Sequence, residues 1–295
     1  MKGIILSGGS GTRLHPITLS ISKQLLPVYD KPMIFYPLSV LMLSRIRDII
    51  IISTPEHIDL YKNMLGNGDQ YGLNINYKIQ TKPEGIAQSF LIADEFIQNE
   101  KVCLVLGDNI FYGENFSEKL ENATKRDEGA TVFAYGVKDP ERFGVVEFDT
   151  TSKAISIEEK PEKPKSNYAV TGLYFFDKKV IEYAKKLKPS KRGEIEIIDL
   201  IDQYKKKHKL SAEFIGRGGS WLDTGNISDF YDASNFISAI ENRQGLKIAC
   251  LEEIALNNNW IKAKQLKDSI KFYGNCDYSN YLNIGILFVF LILIH

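Results

Sequence analysis

The sequence predicts an α/β fold: a mostly parallel central sheet flanked by helices, followed by a small C-terminal helical region. Three observations predict it. Short apolar runs alternate with helix-spaced segments through the first half of the chain. A glycine-rich turn directly follows the first run. The 295 residues are 44% hydrophobic and 25% charged, proportions that suit one large globular unit or a unit with an appendage.

The run 3–7 reads as a buried strand, and 47–53, 73–80 and 102–107 are further strand candidates. Between the last two, Ile86, Phe90, Ala93 and Ile97 recur at helical spacing, which predicts an amphipathic helix over 84–98. Strands alternating with helices imply parallel pairing, with ligands beyond the carboxyl ends of the strands. The glycine turn and Asp108 both fall at such ends and can share one crevice. The middle of the chain is richer in strands, at 130–137, 144–149, 154–159, 168–176 and 210–215. Helices are expected at 194–206 and 228–241, and helical pieces from Lys247 onward. The Lys-rich stretches 185–192 and 205–209 read as solvated helix ends.

Lys plus Arg equals Asp plus Glu, at 37 each, which argues against a protein that lives by nucleic-acid electrostatics. Cys103, Cys250 and Cys276 are far apart and form no Cys-x-x-Cys pair. They suit a reducing cytoplasm and offer neither a disulfide framework nor a zinc site. His15, His57, His208 and His295 show no metal-ligand spacing. No signal-peptide pattern opens the chain. The apolar run 284–294 is shorter than the about 20 residues a spanning helix needs, so no stable membrane insertion is expected.

The strongest motif is Leu6-Ser7-Gly8-Gly9-Ser10-Gly11-Thr12-Arg13-Leu14, with Ser22-Lys23-Gln24 beyond it. Three glycines let backbone N–H groups approach a phosphate. Arg13 supplies a charged fork and Lys23 a point charge, both suited to a polyphosphate. Leu14 stands where a dinucleotide fingerprint needs its third glycine, and no P-loop run exists.

Other groups gain meaning beside this loop. Asp108 follows a buried strand, and Asp223 sits in Trp221-Leu222-Asp223-Thr224-Gly225. Either alone reads equally as a turn or helix cap. Together on a nucleotide they would suit Mg²⁺, a hard cation that keeps several waters. Glu159 and Lys160 end a strand, as a sugar-phosphate contact or as a solvated charge cluster. Gln80 offers a donor and an acceptor side by side, suited to a pyrimidine edge. No nucleophile elbow is present, and no histidine sits beside a candidate nucleophile in a known motif, so covalent catalysis is not suggested.

With these residues in view, the chain resembles the sugar-phosphate nucleotidylyltransferase family, and within it the glucose-1-phosphate thymidylyltransferases. The likeness runs from Met1 to about Leu282. It includes the segments 22–33, 106–113, 139–148, 158–161, 166–174 and 221–225. It implies a Rossmann-like sheet and the joining of dTTP to glucose 1-phosphate, with Arg13, Lys23, Asp108, Lys160 and Asp223 catalytic. It implies a nucleotide site of Leu6, Gly8, Gly9, Ser10, Gly11 and Thr12, with Arg13, Lys23, Gln24 and Asp108. Gln80, Pro83 and Gly85 would read the base. Asn109, Gly144, Glu159, Lys160, Val170 and Trp221 would hold the sugar phosphate. Asp108 and Asp223 would hold Mg²⁺.

The resemblance further implies a cytoplasmic homotetramer inhibited by dTDP-L-rhamnose at a second site. Tyr112, Gly113, Gly216, Arg217, Glu253 and Ile254 match that region. It divides the chain into a catalytic domain over 1–245, a helical C-terminal part over 246–283 for oligomer or regulatory contacts, and the tail 284–295. Two departures stand out: Ser7 replaces the family's usual alanine, and the tail after Leu282 does not resemble the family's ending.

Overall fold

A computed structural model describes residues 1–9, 11–150 and 153–288, with side chains given through residue 285. Ser10 therefore lies outside the described residues, as does the tail from residue 289.

Four of the predicted strands, at Lys2–Ser7, Asp48–Ser53, Asn74–Ile79 and Val102–Leu106, form the parallel half of the sheet. Lys2–Ser7 lies between Asp48–Ser53 and Val102–Leu106, and Asn74–Ile79 forms the edge. Tyr168–Phe176 then pairs antiparallel with Val102–Leu106 and joins a second group of strands. That group contains Ala130–Gly136, Gly144–Phe148, Ala154–Glu159 and Leu210–Ile215. The described residues thus form one mixed, nine-stranded sheet.

Its two faces follow from strand alternation. Ile5, Ile49, Ile51, Cys103 and Val105 face the helices Phe35–Leu43, Ile58–Leu65, Phe116–Lys125 and Leu251–Asn257. Ile4, Ile50, Ile52, Val102 and Leu104 face Gln88–Ile92, Val180–Ala184 and Ile197–Lys206. Both faces are buried, which is why these strands read as unbroken apolar runs.

The helix expected over 84–98 is two shorter ones, Gln88–Ile92 and Asp94–Ile97. Its first turn is lost because residues 84–87 pair with Ile195 instead. Ile195 N donates to Glu84 O at 2.7 Å, and Ala87 N donates to Ile195 O. Gly85 has φ +101°, and a Cβ there would collide with the Ile195 carbonyl. The same contact delays the next helix, expected from 194, until Ile197.

A short ribbon lies apart from the main sheet. Asn109–Gly113 pairs antiparallel with Gly219–Asp223, setting Asn109 opposite Asp223. The long helix Ile227–Gln244 starts with Asn226 as its cap, whose side chain accepts from Asp229 N at 2.9 Å. Among the described residues no helix is long and apolar enough to cross a membrane.

Lys31 ties this helix to the N-terminal half. It is 4% exposed, and its ammonium donates to Glu241 at 2.9 Å and also to Asp30. Lys31→Ala leaves the buried Glu241 and the less buried Asp30 to Lys247 alone, a change worth up to about 3–5 kcal/mol. Urea denaturation should show that loss; a loss under about 1 kcal/mol would mean that Lys247 suffices for both acids.

Candidate functional site

The glycine turn leaves the first strand and wraps a cavity of about 210 Å³. Gly9 has φ +102° and Gly11 +60°, conformations that a side chain resists. Gly8, Gly9, Gly11, Thr12 and Arg13 line this cavity with Lys23, Gln24 and Asp108. A second cavity, of about 370 Å³, is walled by Asn109, Gly144, Glu159, Lys160, Val170, Trp221 and Asp223, together with Arg13 and Asp108. Arg13 and Asp108 belong to both walls, so the two spaces meet at them.

The sequence placed Asp108 and Asp223 115 residues apart, and the ribbon brings them together. Thr224 fastens the junction, its Oγ1 donating to the Asp108 carbonyl at 3.0 Å. Gly225 leaves room for the convergence. A Cβ there would come within 2.8 Å of Asp223 Oδ2 and 3.2 Å of an Arg13 guanidinium nitrogen.

The charges are unevenly held. Lys23 Nζ donates to Asp108 Oδ2 at 2.7 Å, and Asn109 Nδ2 to Oδ1 at 3.0 Å. Burial would raise the Asp108 carboxyl, but Lys23 and these hydrogen bonds outweigh it and hold it below its ordinary value. Asp223 is pushed up to about 6, first by burial and then by the Asp108 charge, against Lys23 and Arg13. Burial also raises Glu159, with Lys160 opposing.

Asn109 braces the site more than it opens onto it. Its Oδ1 accepts from Gly172 N at 2.9 Å and from Trp221 Nε1 at 2.6 Å. Gly172 N is available because the register between Tyr168–Phe176 and Ala130–Gly136 shifts between Val170 and Tyr174. Trp221 is held further by Phe143, with ring centres 5.0 Å apart. Lys160 follows its strand with φ +43°, and its N donates to the Phe143 carbonyl.

Leu6, Gln80, Pro83 and Gly85 are not on the described walls of these two cavities. Leu6 holds the loop's base, its carbonyl accepting from Gly107 N. Gln80 is 3% exposed, donates to Gln88 at 2.7 Å and presses its oxygen against Gly8. Sequence reasoning missed Arg142, which lines the second cavity and donates to Asp139 and Asp229 at 2.7 Å each. It also missed the aliphatic wall of Ile86, Ile197 and Ile198. Arg142 lies in the resemblance segment 139–148, which could have flagged it; the isoleucines carry no motif, and only the fold brings them to the cavity.

Tyr112, Gly113 and Gly216 line a separate cavity of about 200 Å³. Arg217, Glu253 and Ile254 are not on its described wall, and Glu253 accepts from the Tyr281 hydroxyl.

Two anion-ready spaces joined at an arginine and a carboxylate define a group-transfer site, and comparison with known proteins agrees. A sequence model described as nucleotidyl transferase matches residues 2–240. The chain is 56% identical over 282 residues to the glucose-1-phosphate thymidylyltransferase of Neisseria meningitidis serogroup A, covering 96% of this chain and 98% of that one. It is 50% identical over 282 residues to that of Mycobacterium tuberculosis, with the same two coverages. The chain belongs to the nucleotidyl transferase family, within its glucose-1-phosphate thymidylyltransferase group, and is a nucleotidyltransferase. A Bacillus anthracis crystal structure assigned to that group and solved with sucrose superposes with a TM-score of 0.75 at 43% identity, covering 80% of this chain and 94% of that one. A UDP-glucose pyrophosphorylase with bound UDP-glucose shares the fold, with a TM-score of 0.70 at 23% identity, covering 82% and 99%.

Asp223 sets a stability prediction for metal-free protein. Its folded pKa lies above that of the unfolded chain, so stability falls as pH rises from about 4 toward 6 and then levels off. Asp223→Asn should stabilise the protein in chelator at pH 7.5 by about 1–2 kcal/mol, and the gain should vanish at pH 4. Thermal melts at the two pH values check both sign and window.

Proposed function

We propose that the chain transfers dTMP from dTTP to α-D-glucose 1-phosphate, releasing pyrophosphate and forming dTDP-glucose. The meeting of the two cavities at Arg13 and Asp108 is the main support, because two anionic substrates, one in each, would lie end to end. The names of the relatives supply the substrate classes.

The glycine loop and Lys23 would take the triphosphate, with Arg13 over the departing pyrophosphate. Glu159 would orient sugar hydroxyls, and Lys160 would meet the phosphate of the sugar. That phosphate is already a nucleophile at neutral pH, so no general base is needed. Its oxygen attacks the α-phosphorus in line, the bond from that phosphorus to the bridging oxygen breaks, and pyrophosphate leaves with the electron pair. Repulsion between anions is the main barrier, and the fixed cations Arg13, Lys23 and Lys160 answer it.

The donor set at Asp108 and Asp223 fits Mg²⁺. Both are hard oxygens, and no cluster of three or more metal-ligating side chains exists among the described residues. A cation with few protein ligands would complete its shell with water and phosphate. When bound it would neutralise phosphate charge. In this reading the reaction opens a route to dTDP-L-rhamnose, which would return as a feedback inhibitor near Tyr112 and Gly216 in a homotetramer.

Pyrophosphate release with glucose 1-phosphate and Mg²⁺ tests the reading across dTTP, UTP, CTP, ATP and GTP. Fastest release with dTTP is expected. UTP should also serve, because one methyl in a pocket is worth only about 1–3 kcal/mol. No release from folded protein would remove the reading. Asp108→Asn should cut turnover at least about a hundredfold, in stopped assays at matched Mg²⁺. Lys160→Ala should raise KM for glucose 1-phosphate and leave that for dTTP; the reverse pattern would mean the two cavities are exchanged.

A further inference from the structure

Beneath the glycine loop, buried hydroxyls with no role in the proposed reaction surround Gln24, which the resemblance places in the nucleotide site. Tyr61, on the helix Ile58–Leu65, is fully buried. Its hydroxyl lies 2.7 Å from Ser22 Oγ. Both hydroxyls reach Gln24 Oε1, Ser22 at 2.8 Å and Tyr61 at 3.4 Å. Gln24 is itself buried. Polar groups placed this deep are costly unless they are mutually satisfied.

The hydrogen bonds from these hydroxyls set the Gln24 amide with its oxygen toward them. The two hydroxyls carry two protons. One joins the hydroxyl oxygens to each other, and the other is donated to Gln24 Oε1. The amide oxygen is thereby turned inward. Its Nε2 has no hydrogen-bond partner among the described residues, and Gln24 lines the loop cavity beside Gly8, Gly11, Lys23 and Asp108. Lys23 and Gln24 share one 3₁₀ turn, Lys23–Leu25, so the turn presents a cation and a neutral donor to the same space.

We propose that Tyr61 is a positioning residue for nucleotide binding: with Ser22 it holds the Gln24 amide so that Nε2 donates to an oxygen of the nucleotide's sugar–triphosphate part. The inference rests on the nucleotide reading given above. The walls around Gln24 are loop glycines and cations rather than a base-sized slot, and Gln80, Pro83 and Gly85 lie off them. The contact is therefore blind to the base.

Tyr61→Phe removes one hydroxyl and keeps the ring in the core. Calorimetry on the full chain with Mg²⁺ and either dTTP or UTP should show both dissociation constants rising by the same factor, about 3–10-fold. KM for glucose 1-phosphate should stay unchanged. In a Gln24→Ala background the same substitution should add less than about twofold, because its target is gone. Equal effects in both backgrounds, or none in the otherwise unaltered chain, overturn the assignment while leaving the nucleotide reading intact. An effect confined to dTTP also overturns it, since that places Gln24 at the base. Failure of the unaltered chain to bind either nucleotide removes reading and inference together. If Tyr61→Phe does not fold, Ser22→Ala tests the same network with the same expected and overturning results.

Discussion

The Lys23–Asp108 ion pair is the contact on which the site depends. It joins the turn after the glycine loop to the end of the strand Val102–Leu106, across 85 residues of chain. Burial makes such a pair a poor source of stability. Its value lies in what it permits. With Lys23 against it, Asp108 stays charged in a desolvated place and remains an anion beside Asp223. The raised Asp223 records its burial first and the charge of that neighbour second. Both cavities take their shared boundary from Asp108 and Arg13.

The sheet divides the labour. Its parallel half ends in the glycine loop and Asp108, as expected for ligands at strand carboxyl ends. The antiparallel half supplies Gly144, Glu159 and Val170 to the second cavity. Tyr168–Phe176 belongs to both halves, and its interrupted ladder provides the backbone donor that Asn109 uses. One amide side chain therefore links the acidic end of the first cavity to the indole wall of the second.

The central strands Lys2–Ser7, Asp48–Ser53 and Val102–Leu106 were legible because they are buried on both faces and bounded by turn residues, so composition alone marked them. The helix Phe35–Leu43 was not, because eight of its residues, Phe35 to Met42, are buried and no polar stripe reveals a helical period. The missing first turn at 84–87 was hidden for a different reason. The apolar spacing across 84–98 is helical, but Gly85 and the backbone of Ile195 claim the first turn. In the site, residues inside compact motifs could be named from sequence: the structure brings Arg13 and Asp108 to both cavity walls, Lys23 to the first and Asp223 to the second. Arg142 and Tyr61 were missed. Arg142 matters through acids at positions 139 and 229, and Tyr61 through a hydroxyl buried under a distant loop.

The ribbon that pairs Asn109 with Asp223 also governs when a site can exist during synthesis. The loop, Lys23 and Asp108 leave the ribosome more than a hundred residues before the ribbon's second strand, Gly219–Asp223. Until that strand docks, Trp221 has no Asn109 partner and the second carboxylate has no fixed place. A nascent chain thus carries the glycine loop but an unfinished wall, and the contact that completes it is among the longer-range contacts of the fold. Chains ending short of residue 219 would lack both the ribbon strand that joins the two cavities and the helix Leu251–Asn257 that covers one face of the parallel strands.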